Sequence, residues 1–209
     1  MKPMLPEDLQ ELYYVRKSEI RQRLADFASV KAEDRFYELC FCLLTPQSSA
    51  LHANHVVNEL KSIDYQSFGQ NVLHLLRQPT SYIRFHNVKH ARLAQARTEW
   101  PKISDVIERT HVTPQQRRDE LASIVSGFGL KESSHFLRNI GVRGLAIIDR
   151  HLLTNLVYCG VYTETPPLGS KRAYHEVENR YLQFCIDIGI DIDEVDLLFW
   201  CAQTGHILK

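Results

Sequence analysis

Two glycines one residue apart, in Gly127-Phe128-Gly129, interrupt two apolar helical patterns and constrain this chain more than any other feature. Glycine reaches backbone torsions that other residues resist, so one helix can stop and another start at once. Leu121, Ile124 and Val125 precede the turn, and Phe136, Leu137 and Ile140 follow it at helical spacing. The pattern is that of a helix-hairpin-helix, whose turn amides can face a phosphate group. Lys131 stands at the mouth of the second helix, and 18 residues later Asp149 opens the next apolar helix in Ile147-Ile148-Asp149-Arg150-His151. Each part has an ordinary explanation: a plain turn, a solvated lysine, a helix N-cap. Hairpin, lysine, spacer, aspartate and His151 in one order are more specific than any part alone. A lysine and a carboxylate held near a phosphate-binding hairpin suit chemistry on the DNA backbone.

Helical period continues through nearly the whole chain. Helices are expected over 6–27, 34–44, 49–61, 71–76, 87–107, 114–126, 131–140, 149–158, 170–186 and 194–202. Thr45-Pro46 breaks one of them, and Pro79, Pro114 and Pro166-Pro167 mark turns. Residues 186–192 alternate in a strand-like way, but the run is short and reads as an interhelical loop. The expected architecture is all-α with two helical lobes, one from residues 30–140 and the other from 1–29 with 141–209.

Composition narrows the class. At 209 residues and 44% hydrophobic content the chain can bury a substantial core. No run approaches the roughly 20 apolar residues of a membrane span, and the first ten residues lack the apolar segment of a signal peptide. A cytoplasmic, nucleoid-associated protein without membrane contact is expected. Five cysteines without a regular framework read as reduced thiols, with Cys40 and Cys42 as packing residues. Ten histidines show no metal-ligand spacing. The 25 basic and 25 acidic residues cancel, which argues against binding DNA by bulk electrostatics. The stretch 84–98 nonetheless carries Arg84, Lys89, Arg92 and Arg97 with His86 and His90 and no acid before Thr98. It reads either as a localised phosphate footprint or as a solvated helix face.

The ordered set Gly127-Phe128-Gly129-Leu130-Lys131 and Asp149-Arg150-His151 resembles the helix-hairpin-helix–Gly/Pro–Asp superfamily of DNA base-excision glycosylases. The resemblance implies a DNA-binding cleft between two lobes, with Lys131 and Asp149 as catalytic residues. Gly127, Gly129 and His151 would lie at backbone phosphates; for His151 a capping or packed histidine is the alternative. Cleaving a base from deoxyribose builds positive charge on the sugar, which a carboxylate stabilises. A lysine at the hairpin changes the chemistry, because a neutral amine can attack the sugar and form a Schiff base. The imine acidifies the neighbouring proton, so strand cleavage by β-elimination can follow. Lys131 thus marks a bifunctional glycosylase and abasic-site lyase. A stacked base is out of reach of such a site and must be flipped out. Thr45-Pro46-Gln47-Ser48-Ser49-Ala50 resembles the segment that fills the gap, with Gln47 as candidate wedge; a turn in which Ser48 or Ser49 caps the next helix is the alternative.

Three further elements are similar to the compact archaeal-type 8-oxoguanine DNA glycosylase/lyases, which also occur in some bacteria. They are the run Leu39 to Thr45, the run Lys131 to Asn139, and a chain that stops on Lys209 nine residues after Trp200. The resemblance covers residues from about 30 onward. It implies that Lys209 reaches the flipped base while Trp200 and Phe85 sandwich it; plain core is the alternative for both aromatics. Stacking is worth roughly 1–3 kcal/mol per base and tolerates any π-face, so discrimination needs an acceptor for the N7 proton that oxidation adds to guanine. The endonuclease III branch carries a four-cysteine iron–sulfur loop, and no such cysteine cluster occurs here, so no such cofactor is expected. The family's hairpin can hold a weak cation through backbone carbonyls. The expected partner is damaged double-stranded DNA, bound by a monomer. One departure stands out: Thr-Pro-Gln-Ser-Ser replaces the Thr-Ala-Asn that archaeal relatives more often show before the serine, which puts opposite-base behaviour in question. Two alternatives stay open, an oxidised-pyrimidine glycosylase/lyase and a non-catalytic helix-hairpin-helix DNA-binding module.

Overall fold

A computed structural model describes residues 2–207, and no strand occurs among them. Eleven α-helices follow one another among the described residues: α1 (Glu7–Ala28), α2 (Arg35–Leu44), α3 (Ala50–Ser62), α4 (Tyr65–Phe68), α5 (Leu73–Leu76), α6 (His86–Glu108), α7 (Pro114–Ile124), α8 (Leu130–Asn139), α9 (Arg150–Tyr158), α10 (Lys171–Ile188) and α11 (Ile192–Thr204). The short α4, which is absent from the helices expected from sequence, lacks the length for a periodic signal. The chain divides into two compact units, one of Met1–Ser29 with Leu137–Lys209 and one of Val30–Phe136.

The unit 30–136 is built around α2. Eight of its ten residues are buried, from Phe36 and Tyr37 through Leu39 to Leu44. A helix apolar on all sides must be surrounded, and α3 and α6 pack against it. Its end is local chemistry: Thr45 Oγ1 donates back to the Phe41 carbonyl at 3.1 Å, and Pro46 cannot continue the helix. The start of α7 is equally local. Thr113 accepts from the Gln116 amide at 3.2 Å while the Gln116 side chain accepts from the Thr113 amide at 2.9 Å, with Pro114 at the first helical position.

In the other unit α11 packs against α1, α9 and α10. The strand-like run 186–192 is two helix ends. Helix α10 continues to Ile188, and Gly189 takes a left-handed φ of 69°. The Gly189 and Ile190 amides then donate to the carbonyls of Ile186 and Cys185. Asp191 caps the next helix by accepting from the Asp193 amide at 2.9 Å. Alternation of Ile with Asp and Gly mimics a strand because the glycine resets the helical phase between two helices. Arg138 illustrates how this unit tolerates a buried charge: it pairs with Asp196 at 2.6 Å and lies over the Phe27 ring.

Candidate active site

The hairpin belongs to the unit 30–136. Phe128 is buried and meets the Phe136 ring at 6.2 Å, which anchors the turn to the core. Gly127 has φ 91°, and a Cβ there would lie 2.5 Å from Arg92 Nε. The left-handed torsion favours glycine, and a side chain there would also push the flexible Arg92 side chain aside. Arg92 comes from α6, so a cation from the basic stretch lies against the hairpin. The Gly129 amide is engaged: it donates to Glu132 Oε2 at 3.2 Å. Glu132 sits three residues into the Gly129-Leu130-Lys131-Glu132 start of α8, where a carboxylate commonly reaches back to the cap amide. A phosphate bound at the Gly129 amide would have to displace it. Lys131 is the second residue of α8, its side chain 30% exposed, with Nζ 3.8 Å from Glu132 Oε1. Sequence reasoning missed Glu132, since nothing in the local pattern marks it for contact with the amine.

Asp149 lies in the other unit as the N-cap of α9. One oxygen, Oδ1, accepts from the amides of His151 and Leu152 at 2.9 Å each. Oδ2 makes no hydrogen bond among the described residues. The capping and the chemical readings of this residue are thus compatible, because one oxygen fixes the carboxylate and the other is left over. The dipole of α9 also favours an anion there. The segment leading to it is extended and buried, without a neighbouring strand. Side chains take the strand's place: Asp193 accepts from Gly144 N, and Glu178 from Ala146 N. The Tyr174 hydroxyl donates to Ala146 O at 2.7 Å and accepts from Ile148 N at 3.4 Å. These partners are 26 to 49 residues away in sequence, which hid them from any local pattern.

His151 presents its ring edge-on to Trp200, centroids 5.8 Å apart, and receives Arg150 Nε at 3.3 Å. Trp200 is half-buried on α11, and its indole Nε1 is buried with no partner among the described residues. Asp149, His151 and Trp200 thus share one unit, with His151 next to both. Lys209 lies outside the described residues.

Gln47 and Phe85 are joined within the unit 30–136. Gln47 is exposed with φ 56°, and Phe85, 49% exposed with φ 58°, precedes α6. The Arg84 guanidinium lies 4.9 Å from the Phe85 ring centre. Ser49 stands at the N-cap of α3 without a side-chain capping bond, and the Ser48 hydroxyl accepts from the Arg84 amide at 3.0 Å. The basic stretch is not a single face. Arg92 meets Gly127, Arg97 crosses Gly69, and Lys89 is buried, pointing at the 45–48 loop. Both sequence readings of the stretch, phosphate footprint and solvated face, left Lys89 at the surface, because a lysine among basic residues has no local mark of burial.

The cysteines have no place in this chemistry. All five are free and buried, and burial pushes the thiols of Cys159 and Cys185 up to about 12. Among the described residues no group of three or more His, Cys, Asp or Glu could hold a metal, and no helix is long and apolar enough to cross a membrane.

Known proteins give these features a context. The Ogg-HhH family, described as 8-oxoguanine DNA glycosylase, matches residues 20–190. The 8-oxoguanine DNA glycosylase/AP lyase of Fusobacterium nucleatum is 33% identical over 97% of this chain and 96% of its own. The enzyme of that name from Methanocaldococcus jannaschii is 32% identical over 99% of this chain and 100% of its own. A crystal structure of the Methanocaldococcus jannaschii 8-oxoguanine glycosylase/lyase in complex with 15mer DNA containing 8-oxoguanine superposes with a TM-score of 0.84 at 30% identity, covering 96% of this chain and 99% of that one. The Thermotoga maritima 8-oxoguanine DNA glycosylase gives 0.84 at 28% identity, with 97% of each chain covered. With matches that run nearly end to end, the chain belongs to the 8-oxoguanine DNA glycosylase family.

Proposed function

We propose that this protein excises 8-oxoguanine from double-stranded DNA and cleaves the resulting abasic site, with Lys131 as nucleophile and Asp149 as the stabilising carboxylate. The observation that carries the activity is the likeness, over 96% of this chain, to a glycosylase/lyase crystallised on DNA containing 8-oxoguanine. The residue assignment is supported by placement: a half-exposed amine in the first turn after the hairpin, and an aspartate whose cap leaves one oxygen unengaged.

The chemistry proceeds in two stages. As the C1′–N9 bond lengthens, positive charge on the sugar is balanced by Asp149. The neutral Lys131 amine bonds to C1′, the base departs with the electron pair of the broken bond and takes up a proton, and the sugar ring opens to an imine. Loss of a C2′ proton then breaks the C3′–O bond, leaving an unsaturated sugar on one strand end and a 5′-phosphate on the other. Hydrolysis frees the lysine. Amine, carboxylate and water account for every bond in this scheme. Gln47 fills the vacated stack, Phe85 and Trp200 hold the base, and Lys209 contacts it. Gly127, the Arg92 side chain beside it, and His151 serve the backbone phosphates. The protein acts as a monomer on nucleoid DNA.

Duplexes carrying 8-oxoguanine, thymine glycol or no damage, incubated with and without borohydride, test this. Base release and a borohydride-trapped complex on 8-oxoguanine alone are expected. Preference for thymine glycol would transfer the protein to oxidised pyrimidines, and binding without cleavage would make it a binding module.

A further inference from the structure

Lys89 stands amid the basic stretch, yet it is only 2% exposed. Its Nζ donates to Leu44 O at 2.6 Å, to Pro46 O at 2.7 Å and to Ser48 Oγ at 3.0 Å. Three oxygens, two carbonyls and a hydroxyl, face the three N–H donors of an ammonium. Leu44 ends α2, so the charge also sits where helix carbonyls lack partners and the dipole is negative. Burial and the nearby Arg92 guanidinium push the ammonium down to about 8. A buried cation is costly to keep, and a plain helix end could be closed by a neutral cap.

What the cation organises is more specific than a helix end. The Ser48 hydroxyl that receives Lys89 also receives the Arg84 amide, and Arg84 precedes Phe85. Lys89 itself begins one turn after Phe85, its amide donating to the Phe85 carbonyl. One side chain therefore ties the 45–48 loop to the turn that opens α6. Each of these contains a non-glycine residue in the left-handed region, Gln47 at φ 56° and Phe85 at φ 58°. Such torsions persist only where the surroundings over-determine them. Both side chains point outward, and both are placed by hydrogen bonds that converge on a group out of reach of solvent.

We propose that Lys89 is a positioning residue for base extrusion: through Leu44, Pro46 and Ser48 it holds Gln47 and Phe85 in the geometry with which one fills the gap in the duplex and the other faces the extruded base. The inference rests on the roles given above to Gln47 and Phe85. Lys89 touches neither DNA nor base.

The test compares wild type with Lys89→Met, Gln47→Ala and the double variant. Single-turnover excision of 8-oxoguanine from duplex DNA and borohydride trapping on a duplex with a pre-formed abasic site are measured, with the melting temperature of each protein. Since misplacement by about 1 Å costs on the order of 100-fold in rate, Lys89→Met should lose excision on that order. It should lose much less trapping, because an abasic site has no base to seat. The double variant should be no slower than the slower single variant, since both changes remove one device. A merely structural lysine would lower the melting temperature and depress both substrates alike, which overturns the proposal. So would losses that multiply in the double variant. If Gln47→Ala is harmless, the wedge role itself fails. If Gln47→Ala is slow while folded Lys89→Met matches wild type, only the role of Lys89 fails. Should Lys89→Met not fold, Ser48→Ala removes the shared hydroxyl and keeps both carbonyl bonds; several-fold slower excision is expected, and wild-type excision in that variant overturns the inference.

Discussion

Replacing Asp149 separates its two jobs. In Asp149→Asn the side-chain oxygen that accepts from the His151 and Leu152 amides is retained, so the cap survives. Asn and Asp are comparable N-caps, and what is lost in the folded state is the charge at the α9 N-terminus, worth about 0.3–1 kcal/mol. For a chain of this length that corresponds to a fall in Tm of roughly 1–4 °C. The loss in the reaction is larger. A fixed charge facing charge that develops in the transition state contributes about 3–4 kcal/mol, which is on the order of 100- to 1,000-fold in rate. Asp149→Ser also preserves a cap and carries no carboxylate, so it should match Asn in excision. Asp149→Ala should be just as slow but less stable by a further ~1 kcal/mol. Single-turnover release of 8-oxoguanine, read beside thermal melting, resolves these terms. An abasic duplex should be affected less, because its glycosidic bond is already broken. Asp149→Asn or Asp149→Ser releasing 8-oxoguanine within a few-fold of wild type would show that the aspartate is a helix cap and nothing more.

Lys131→Gln should abolish both base release and the borohydride-trapped complex while leaving lesion binding largely intact; undiminished trapping would move the Schiff base to another amine. Deleting Lys209 should weaken binding and excision of 8-oxoguanine strongly and spare lyase action on an abasic site, with both substrates measured in single-turnover assays. Arg138→Ala should destabilise the fold by about 1.5–3 kcal/mol in urea unfolding, since it removes a charge-assisted hydrogen bond to Asp196 and the guanidinium's packing on Phe27. The Lys89 ammonium has a lowered pKa of about 8 in the folded state against 10.5 unfolded. Above pH 8 the unfolded chain therefore holds the proton better than the folded one, and the cost of the buried charge is relieved as pH rises towards 10.5. The Tm of wild type relative to Lys89→Met should accordingly rise across that window; a falling difference would contradict the burial of a charged amine.

Gly127-Phe128-Gly129, the apolar residues on either side and the cap at Asp149 were readable from the chain itself. Their determinants lie within four or five residues: a torsion only glycine accepts easily, an apolar period of 3.6, an oxygen three residues ahead of an amide. For the same reason Lys131 could be placed in the first turn of its helix and Asp149 at the head of the next. The all-helical class followed from the repetition of those local signals. Where a local signal was ambiguous it fixed less: the Ile-Asp alternation of 186–192 reads as an interhelical loop, and helix ends take up all of it but 189–191, because two helix ends around Gly189 and a short strand share one period of hydrophobicity. Tertiary structure alone decided the rest. It turned Lys89 inward against two carbonyls and a hydroxyl 41 to 45 residues away, set Arg92 across Gly127, and tied the segment before Asp149 to Tyr174, Glu178 and Asp193. A polar side chain carries no mark in the sequence of the partner that meets it after folding. Such pairings depend on which distant helices pack together, and that is decided by the summed burial of the cores rather than by the residues that pair.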